Sequence, residues 1–155
     1  MIKIKPVRQT PGWCGPASLK MLFEYWGVVP TEAEIAKAAG ASKEKGATMA
    51  GLIKAARYFG FRTFSKKNST LNDLRHFIKK RVPVLVDWFL EDDGHYSIVI
   101  AIDKQNIVLM DPTLKGKRKM SLQKFLRIWF DFPGDYLKNK EELILRAMLV
   151  VMPKK

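Results

Sequence analysis

Four side chains that could carry hydrolytic chemistry are spread along this sequence. Cys14 is its only cysteine and lies five residues after Gln9, while His95 and Asp111 occur far downstream. A thiol, an imidazole, a carboxylate and a side-chain amide are the groups with which a cysteine hydrolase forms and breaks an acyl-enzyme. We therefore take Cys14, His95, Asp111 and Gln9 as the candidate catalytic residues.

The surroundings of Cys14 favour a nucleophile over a structural cysteine. The chain reads QTPGWCGPAS from residue 9 to residue 18, and an apolar stretch of helical period follows. Pro16 suits the first turn of a helix, so Cys14 stands at the predicted helix start. A helix N-terminus and a nearby imidazolium both favour the thiolate, which is the reactive form. A buried cysteine that packs as a small hydrophobe is the alternative.

His95 is the better placed of the two histidines. It follows a glycine at a predicted strand start, at a sheet edge where a general base could reach a substrate. His76 stands between Arg75 and Lys79 on the polar face of a predicted helix, so we expect it to be exposed. A turn histidine without a catalytic role is the alternative for His95.

Asp111 ends the predicted strand that returns from the strand of His95. If the hairpin places Asp111 across from Ser97 or Val99, its carboxylate shares a face with His95 and can orient the imidazole. The Asp-Pro pair could instead simply end a strand. Four other carboxylates compete for this role: Asp87, Asp92, Asp93 and Asp103.

Gln9 could donate its amide N–H to an oxyanion, together with the backbone N–H of Cys14. An exposed loop glutamine is the alternative, and the spacing leaves the choice open. Several residues nearby in the motifs could contact a substrate, because glycine permits close approach of a substrate backbone and tryptophans could wall a narrow channel. These candidates are Trp13, Gly15, Trp88 and Gly94.

The elements that must position these residues read as helices first and strands second. Helix-start signals recur in the first half of the chain, at Thr31 with Glu34, at Thr48, and at Thr70 with Asp73. The remaining predicted elements are strands at 82–86, 96–102, 107–110 and 143–152, a helix after Ser121, a turn at 115–117 and a loop over 131–140. This order predicts an α+β domain, an N-terminal helical half packed on a C-terminal antiparallel sheet with a cleft between them.

Composition narrows the class further. A length of 155 residues predicts one domain over residues 1–155. The lone cysteine excludes an internal disulfide, the two histidines give no zinc spacing, and no phosphate-binding glycine loop is present, so we expect neither metal nor cofactor. The sequence has no signal-peptide pattern and no apolar run of the ~20 residues that a membrane span needs, which predicts a cytoplasmic protein.

The net charge of +13 is large for this length and favours an acidic partner, either a peptide, a nucleic acid or an anionic membrane surface. A merely soluble surface is the alternative. The 28 lysines and arginines are spread along the chain and do not collect in an arm or tail, which argues against a dedicated nucleic-acid binder. We therefore expect an acidic peptide or protein substrate.

The sequence resembles the C39 peptidase family, papain-like cysteine proteases that process bacteriocin precursors. The matching pieces extend over most of the chain to about residue 130, and their order is more specific than any one of them. They are Gln9, CGPAS at 14–18, YWG at 25–27, PVLVDW at 83–88, GHYSIV at 94–99 and VLMDP at 108–112. The resemblance implies a papain-like fold with Cys14 as nucleophile, His95 as base, Asp111 as orienting acid and Gln9 as oxyanion donor.

Well-known members of that family are N-terminal domains of ABC transporters that cut a leader peptide after two glycines. This sequence shows neither membrane spans nor an ATPase, so it resembles a stand-alone relative or an excised domain that could associate with a transporter or membrane complex. The expected function is a cysteine endopeptidase cutting after a Gly-Gly type site in an acidic, leader-like peptide. A papain-like acyl transferase or amidase, and a non-catalytic peptide-binding module, are the alternatives.

Overall fold

The computed structural model describes residues 1–154, in which five α-helices pack on an antiparallel sheet. The helices are α1 (Cys14–Tyr25), α2 (Glu32–Ala39), α3 (Met49–Tyr58), α4 (Leu71–Lys79) and α5 (Leu122–Ile128), with a short 3₁₀ helix at Lys140–Glu142. The strands are β1 (Phe61–Lys66), β2 (Val84–Leu90), β3 (Asp93–Ile102), β4 (Asn106–Asp111), β5 (Gly116–Ser121), β6 (Phe130–Asp131), β7 (Ile144–Leu145) and β8 (Ala147–Pro153). Within residues 1–154, no helix combines the length and the apolar character needed to cross a membrane.

The main sheet has six strands in the order β1-β8-β2-β3-β4-β5, and all neighbours are antiparallel. The predicted α+β class with an antiparallel sheet is confirmed. Two strands of this sheet were not predicted: β1 lies between α3 and α4, and β5 begins inside the predicted turn at 115–117. Both are edge strands of mostly polar sequence, so neither shows the apolar run that identifies a central strand.

Three predicted helix starts are observed at the expected threonines. Thr31 and Thr70 each form a reciprocal capping box, and the side chain of Thr48 accepts the backbone N–H of Gly51. The start of α1 differs, because Trp13 stands at its N-cap and makes no side-chain capping bond. The first turn of α1 therefore leaves backbone N–H groups open at Cys14.

Helices cover both faces of the sheet, which extends the predicted two-part arrangement. Helices α1, α2 and α3 form one core with apolar residues of β2, β3, β4 and β8. Helices α4 and α5 form a second core on the opposite face. The sequence of β3 already indicates a strand covered on both faces, because it lacks the polar-apolar alternation of a half-exposed strand. In the structure every residue from Tyr96 to Val99 is buried.

The last predicted strand, 143–152, is two strands separated by Arg146, whose φ is +50°. This left-handed residue redirects the chain, so β7 leaves the main sheet and pairs with β6. The predicted loop over 131–140 is observed except at its ends, since Asp131 belongs to β6 and Lys140 begins the 3₁₀ helix. Strand β6 lies against β2 and β3 and so reaches the end of the sheet that carries His95.

Candidate active site

His95 and Asp111 meet on one face of the β3–β4 hairpin. Val99 pairs with Leu109, so Asp111, two residues beyond Leu109, lies on the face that also carries Val99 and His95. The Nε2 atom of His95 lies 2.7 Å from Oδ1 of Asp111. His95 and Asp111 therefore share a face, which was the condition for Asp111 to orient the imidazole.

Asp111 is fully buried and held by three partners. Besides His95, the backbone N–H of Thr113 donates to its Oδ1 at 2.9 Å, and Nε of Arg118 donates to its Oδ2 at 2.7 Å. Burial raises the pKa of Asp111, but the bonds to His95, Arg118 and Thr113 outweigh that effect and lower it below its ordinary value. The carboxylate is therefore ionised, and His95 Nε2–H is the donor between them.

Cys14 is partly exposed, and its thiol lies close enough to the His95 ring to raise the pKa of that ring. Nε2 faces Asp111, with the hydroxyl of Thr113 at 3.4 Å, which leaves Nδ1 as the nitrogen for the thiol. Burial lowers the pKa of His95, but its bonds to Asp111 and Cys14 outweigh burial and raise that pKa to about 9. The charged ring of His95 therefore lies beside the sulfur of Cys14.

Trp88 supports His95 from below and does not line a channel. Its side chain is only 1% exposed, which leaves almost no surface for the predicted contact with substrate. Its ring meets the His95 ring edge-on with centroids 5.4 Å apart, and its Nε1 donates to Ser97 Oγ at 3.0 Å. The guanidinium of Arg118 lies over the same indole at 5.6 Å, so Trp88 fixes the positions of both His95 and Arg118.

Gln9 is half-buried and is not an exposed loop residue. Its backbone N–H donates to the carbonyl of Pro112 at 3.0 Å, and its Oε1 accepts a bond of 2.9 Å from the hydroxyl of Thr113. In the part of the chain that the structure describes, its amide nitrogen donates to no protein acceptor. This arrangement ties Gln9 to the segment after Asp111 and leaves an N–H for a ligand.

The two predicted substrate-contact glycines serve packing instead. Gly15 is buried, and a Cβ there would lie 3.1 Å from Leu52 and 3.3 Å from Tyr96. A Cβ on Gly94 would overlap the carboxylate of Asp131. Protein atoms fill the space beside each α-carbon, so neither glycine leaves room for a substrate on that side.

Trp13, another predicted substrate contact, lies beside the candidate nucleophile. It is half-buried directly before Cys14, and the ammonium group of Lys43 lies 5.7 Å from its ring centroid. The preceding Gly12 has φ of +82°, and a Cβ there would overlap the carbonyl of Lys43. Gly12 thus allows the loop carrying Lys43 to pack close beside Trp13.

The competing residues lie elsewhere. His76 is exposed on α4 as predicted, and Asp92, Asp93 and Asp103 are exposed. Asp87 is buried at 2% exposure, but the charged neighbour that shifts its pKa is Asp131 and not His95. Asp111 is therefore the carboxylate in contact with the imidazole.

Sequence reasoning missed Arg118, Thr113 and Asp131. In the sequence Arg118 is one of many scattered basic residues. Burial nevertheless alternates along its strand, since Lys117 and Lys119 are exposed and Met120 is buried. That period of two places Arg118 on the inward side with Met120. The alternation was a usable signal, because an inward arginine in a strand needs an acidic partner.

We expect Gly94→Ala to destabilise the fold by about 1–3 kcal/mol, because the new methyl group overlaps the carboxylate of Asp131 and forces a local shift. Thermal unfolding measures the effect. Gly116→Ala is the matched control, since that strand glycine has its nearest neighbour at 3.8 Å and should tolerate the methyl group. Equal stability of both variants would contradict the close packing at Gly94.

We expect Arg118→Met to lower kcat about 10–100-fold, since it removes a charge-assisted hydrogen bond to Asp111 while keeping the apolar contact with Trp88. Steady-state kinetics on a cleaved peptide measure the loss. Lys117→Met, at an exposed position of the same strand, is the control and should leave kcat unchanged. A full-speed Arg118→Met would mean that Asp111 needs no clamp.

Comparison with known proteins adds sequence relatives. The sequence profile of the peptidase C39 family matches residues 4–132. An uncharacterized protein of Methanothermobacter thermautotrophicus is 40% identical over 124 residues, which cover 80% of this chain and 79% of that protein. The transport/processing ATP-binding protein ComA of Streptococcus pneumoniae is 34% identical over 138 residues, 83% of this chain but only 19% of ComA.

Two solved structures share the fold. The peptidase domain of Streptococcus ComA, a bifunctional ABC transporter, has a TM-score of 0.75 at 22% identity, with 99% of this chain and 100% of that chain covered. A double-glycine-motif protease from an AMS/PCAT transporter, solved with the leader peptide, has a TM-score of 0.71 at 19% identity, with 99% and 94% covered. These structures confirm the predicted fold.

Proposed function

Because the chain belongs to the peptidase C39 family, we propose that it is a cysteine endopeptidase with Cys14 as its nucleophile. The observation that carries the proposal is the position of the His95 ring: its Nε2 lies 2.7 Å from Asp111 Oδ1, and the thiol of Cys14 lies close enough to raise the pKa of the ring. This arrangement holds an imidazolium beside a thiol, which is what nucleophilic catalysis by cysteine requires. The proposed catalytic unit is a single domain.

In the proposed reaction the Cys14 thiolate attacks the carbonyl carbon of the scissile bond. A C–S bond forms while the carbonyl π electrons move to oxygen. As the C–N bond breaks, His95 gives its proton to the leaving amine and becomes neutral. His95 then takes a proton from water, the hydroxide adds to the acyl carbon, and the thiolate leaves as the carboxylic acid is released, which restores the ion pair.

The tetrahedral intermediate needs donors for its oxyanion. The open backbone N–H of Cys14 at the start of α1 and the unpaired amide of Gln9 are the proposed pair. The bond from Thr113 to Gln9 Oε1 orients that amide, and Thr113 also bonds Asp111 through its backbone. The proposed oxyanion donor and the orienting acid thus share one anchor.

The proposed substrate is a leader-like peptide cut after a Gly-Gly type pair. Support comes from the relative solved with a leader peptide and from ComA, whose name includes processing. The net charge of +13 favours an acidic peptide. This chain spans only 19% of ComA, a transport/processing protein. We therefore include in the proposal that the domain associates with a transporter or other membrane complex. It would act on the cytoplasmic side, as in bacteriocin processing.

The test is cleavage of three synthetic peptides by the protein. One is acidic and amphipathic with a Gly-Gly pair, the second has its charges reversed, and the third carries Val-Val in place of Gly-Gly. We expect mass spectrometry to show one cut after the second glycine, faster for the acidic peptide and slower as salt rises. Products in which the acyl group is joined to an added amine would support the acyl transferase instead. If no peptide is cut although Cys14 can still be alkylated, the peptidase proposal is contradicted.

We expect kcat/KM to fall as pH rises through about 9, the raised pKa of His95. The imidazolium is present below this pH and is lost above it, and only the charged ring can protonate the leaving amine. A pH profile of peptide cleavage measures this limb. An alkaline limb near 6.5, the ordinary histidine value, would mean that Asp111 and Cys14 do not stabilise the charged ring.

A further inference from the structure

Two further acidic side chains, Asp87 and Asp131, lie beside the candidate active site and have no role in the reaction above. Asp87 on β2 is 2% exposed, and its buried Oδ1 accepts no hydrogen bond from the described residues. Asp131 on β6 lies against the α-carbon of Gly94, the residue before His95. Asp87 pairs with Tyr96 and Phe89 pairs with Gly94, so Asp87 and Gly94 are diagonal neighbours on one face of the sheet. The carboxyl group of Asp131, which covers Gly94, therefore lies beside that of Asp87. Asp131 and Cys14 both raise the pKa of Asp87.

Asp131 is fixed in this position by its sequence neighbours. Phe130 and Phe132 both stack on Phe89, at centroid distances of 5.1 and 5.2 Å. Phe89 is the strand partner of Gly94, so the aromatic stack brings Asp131 to the one residue of β3 that has no side chain. The backbone N–H of Phe132 donates to Asp131 Oδ1 at 2.7 Å.

No cation balances this pair. Within residues 1–154, neither Asp87 nor Asp131 has a lysine, arginine or histidine within salt-bridge distance. The titratable groups that face it are Cys14 from α1 and Tyr96 from β3. Two carboxylates in contact without a cation cannot both remain ionised, because their mutual repulsion and burial both favour retention of a proton.

We propose that Asp87 and Asp131 share a single proton and act as positioning residues that hold one negative charge beside Cys14. Burial and the neighbouring Asp131 raise the pKa of Asp87 to about 10, which agrees with a proton retained across the neutral range. The O–H of one carboxyl group then donates to the other, as in other buried carboxyl pairs. The inference rests on the proposed role of Cys14 as nucleophile.

The charge has a defined consequence for the thiol. A fixed negative charge beside Cys14 disfavours its thiolate, whereas the His95 imidazolium favours it. Both effects together make the thiolate depend on its ion pair with His95. Removing the fixed charge should then let Cys14 ionise at lower pH, and it should extend the acid limb of kcat/KM in the same direction.

Two variants separate charge from shape, because asparagine keeps the size and the hydrogen bond of aspartate. In Asp87→Asn the amide donates to an ionised Asp131, so the net charge of the pair stays at one. In the double variant Asp87→Asn with Asp131→Asn the charge is gone. The measurement is the rate of Cys14 alkylation by iodoacetamide against pH, with Asp92→Asn as an exposed control for the loss of one charge.

We expect Asp87→Asn and the Asp92→Asn control to match the wild-type alkylation midpoint, and the double variant to titrate about one pH unit lower. A lower midpoint in Asp87→Asn alone would mean that the wild-type pair holds two charges and would overturn the proposal. A double variant with the wild-type midpoint would mean that the wild-type pair holds no negative charge, and this too would overturn the proposal. Alkylation needs no peptide cleavage, so these outcomes stand even if the proposed peptidase activity fails.

A second measurement follows from linkage. Asp87 keeps its proton in the folded protein but releases it above about pH 4 when unfolded, so wild type should lose stability relative to Asp87→Asn as pH rises from about 4 to 8. Thermal unfolding across that range measures the difference. A difference that stays constant with pH would overturn the shared proton. If the variants do not fold, the infrared carboxyl band of wild-type protein at pH 8 decides, since a protonated carboxyl group must appear there.

Discussion

Replacing Cys14 by alanine is expected to lower kcat/KM for a double-glycine peptide by at least ~10⁴-fold, because the variant loses the thiolate that forms the acyl-enzyme. Cys14 is the only cysteine, so the variant has no substitute thiol. The side chain is partly exposed at a helix start, and its loss leaves the buried core intact. Steady-state cleavage and thermal unfolding, measured together, should show lost activity with unchanged stability.

Cys14→Ser is the matched control for shape. A serine hydroxyl fills nearly the same space, but it stays protonated beside His95 because its acidity is far lower than that of a thiol. We expect this variant to be folded and as inactive as Cys14→Ala. Substantial cleavage by Cys14→Ala would remove Cys14 from the mechanism and with it the proposed function.

Asp111→Asn is expected to lower kcat by roughly 10²–10⁴-fold, through loss of the charge that orients and stabilises the His95 imidazolium. The geometry adds a stability effect. Oδ1 accepts from both His95 and Thr113, so the new amide nitrogen must replace Oδ2 and face the Nε–H donor of Arg118. Two donors then oppose each other at a buried position, and the variant should unfold at lower temperature than wild type.

A second substitution separates these two effects. Arg118→Gln supplies a carbonyl that can accept from the new amide, so the double variant Asp111→Asn with Arg118→Gln should regain stability and remain slow. The pH profile adds a readout that a purely structural role would not change, since the alkaline limb should move below about 9 as the pKa of His95 falls. Recovery of full activity would mean that the negative charge of Asp111 is not needed.

The residues that sequence identified best are those with a local cause. The capping boxes at Thr31 and Thr70 each act over three residues, so spacing alone revealed them. The His95–Asp111 contact spans one hairpin, and the apolar runs on both sides limited its register to a few choices. The resemblance to C39 peptidases then selected Asp111 over Asp87, which the residues alone had left open.

The features that sequence missed depend on contacts between distant segments. The space beside Gly94 is filled by Asp131, which lies 37 positions later in the chain, so the sequence alone does not show that this space is occupied. The sequence suggests a channel wall at Trp88, because a large aromatic residue beside a catalytic motif looks the same whether its side chain faces solvent or the core. Arg118 lies on an edge strand of basic sequence, and only its pairing with the strand of Asp111 brings it to the site.

The placement of His95 and Asp111 on one hairpin, only 16 residues apart, has a consequence for how the protein matures. Hairpins close quickly, so the charged base can assemble soon after its own segment is made, whereas the thiol must be joined to it across most of the chain. During synthesis the nucleophile leaves the ribosome first and gains its activating partner last. A nascent chain that has not yet reached Asp111 therefore carries an ordinary thiol, and it gains hydrolytic power only when the two halves close.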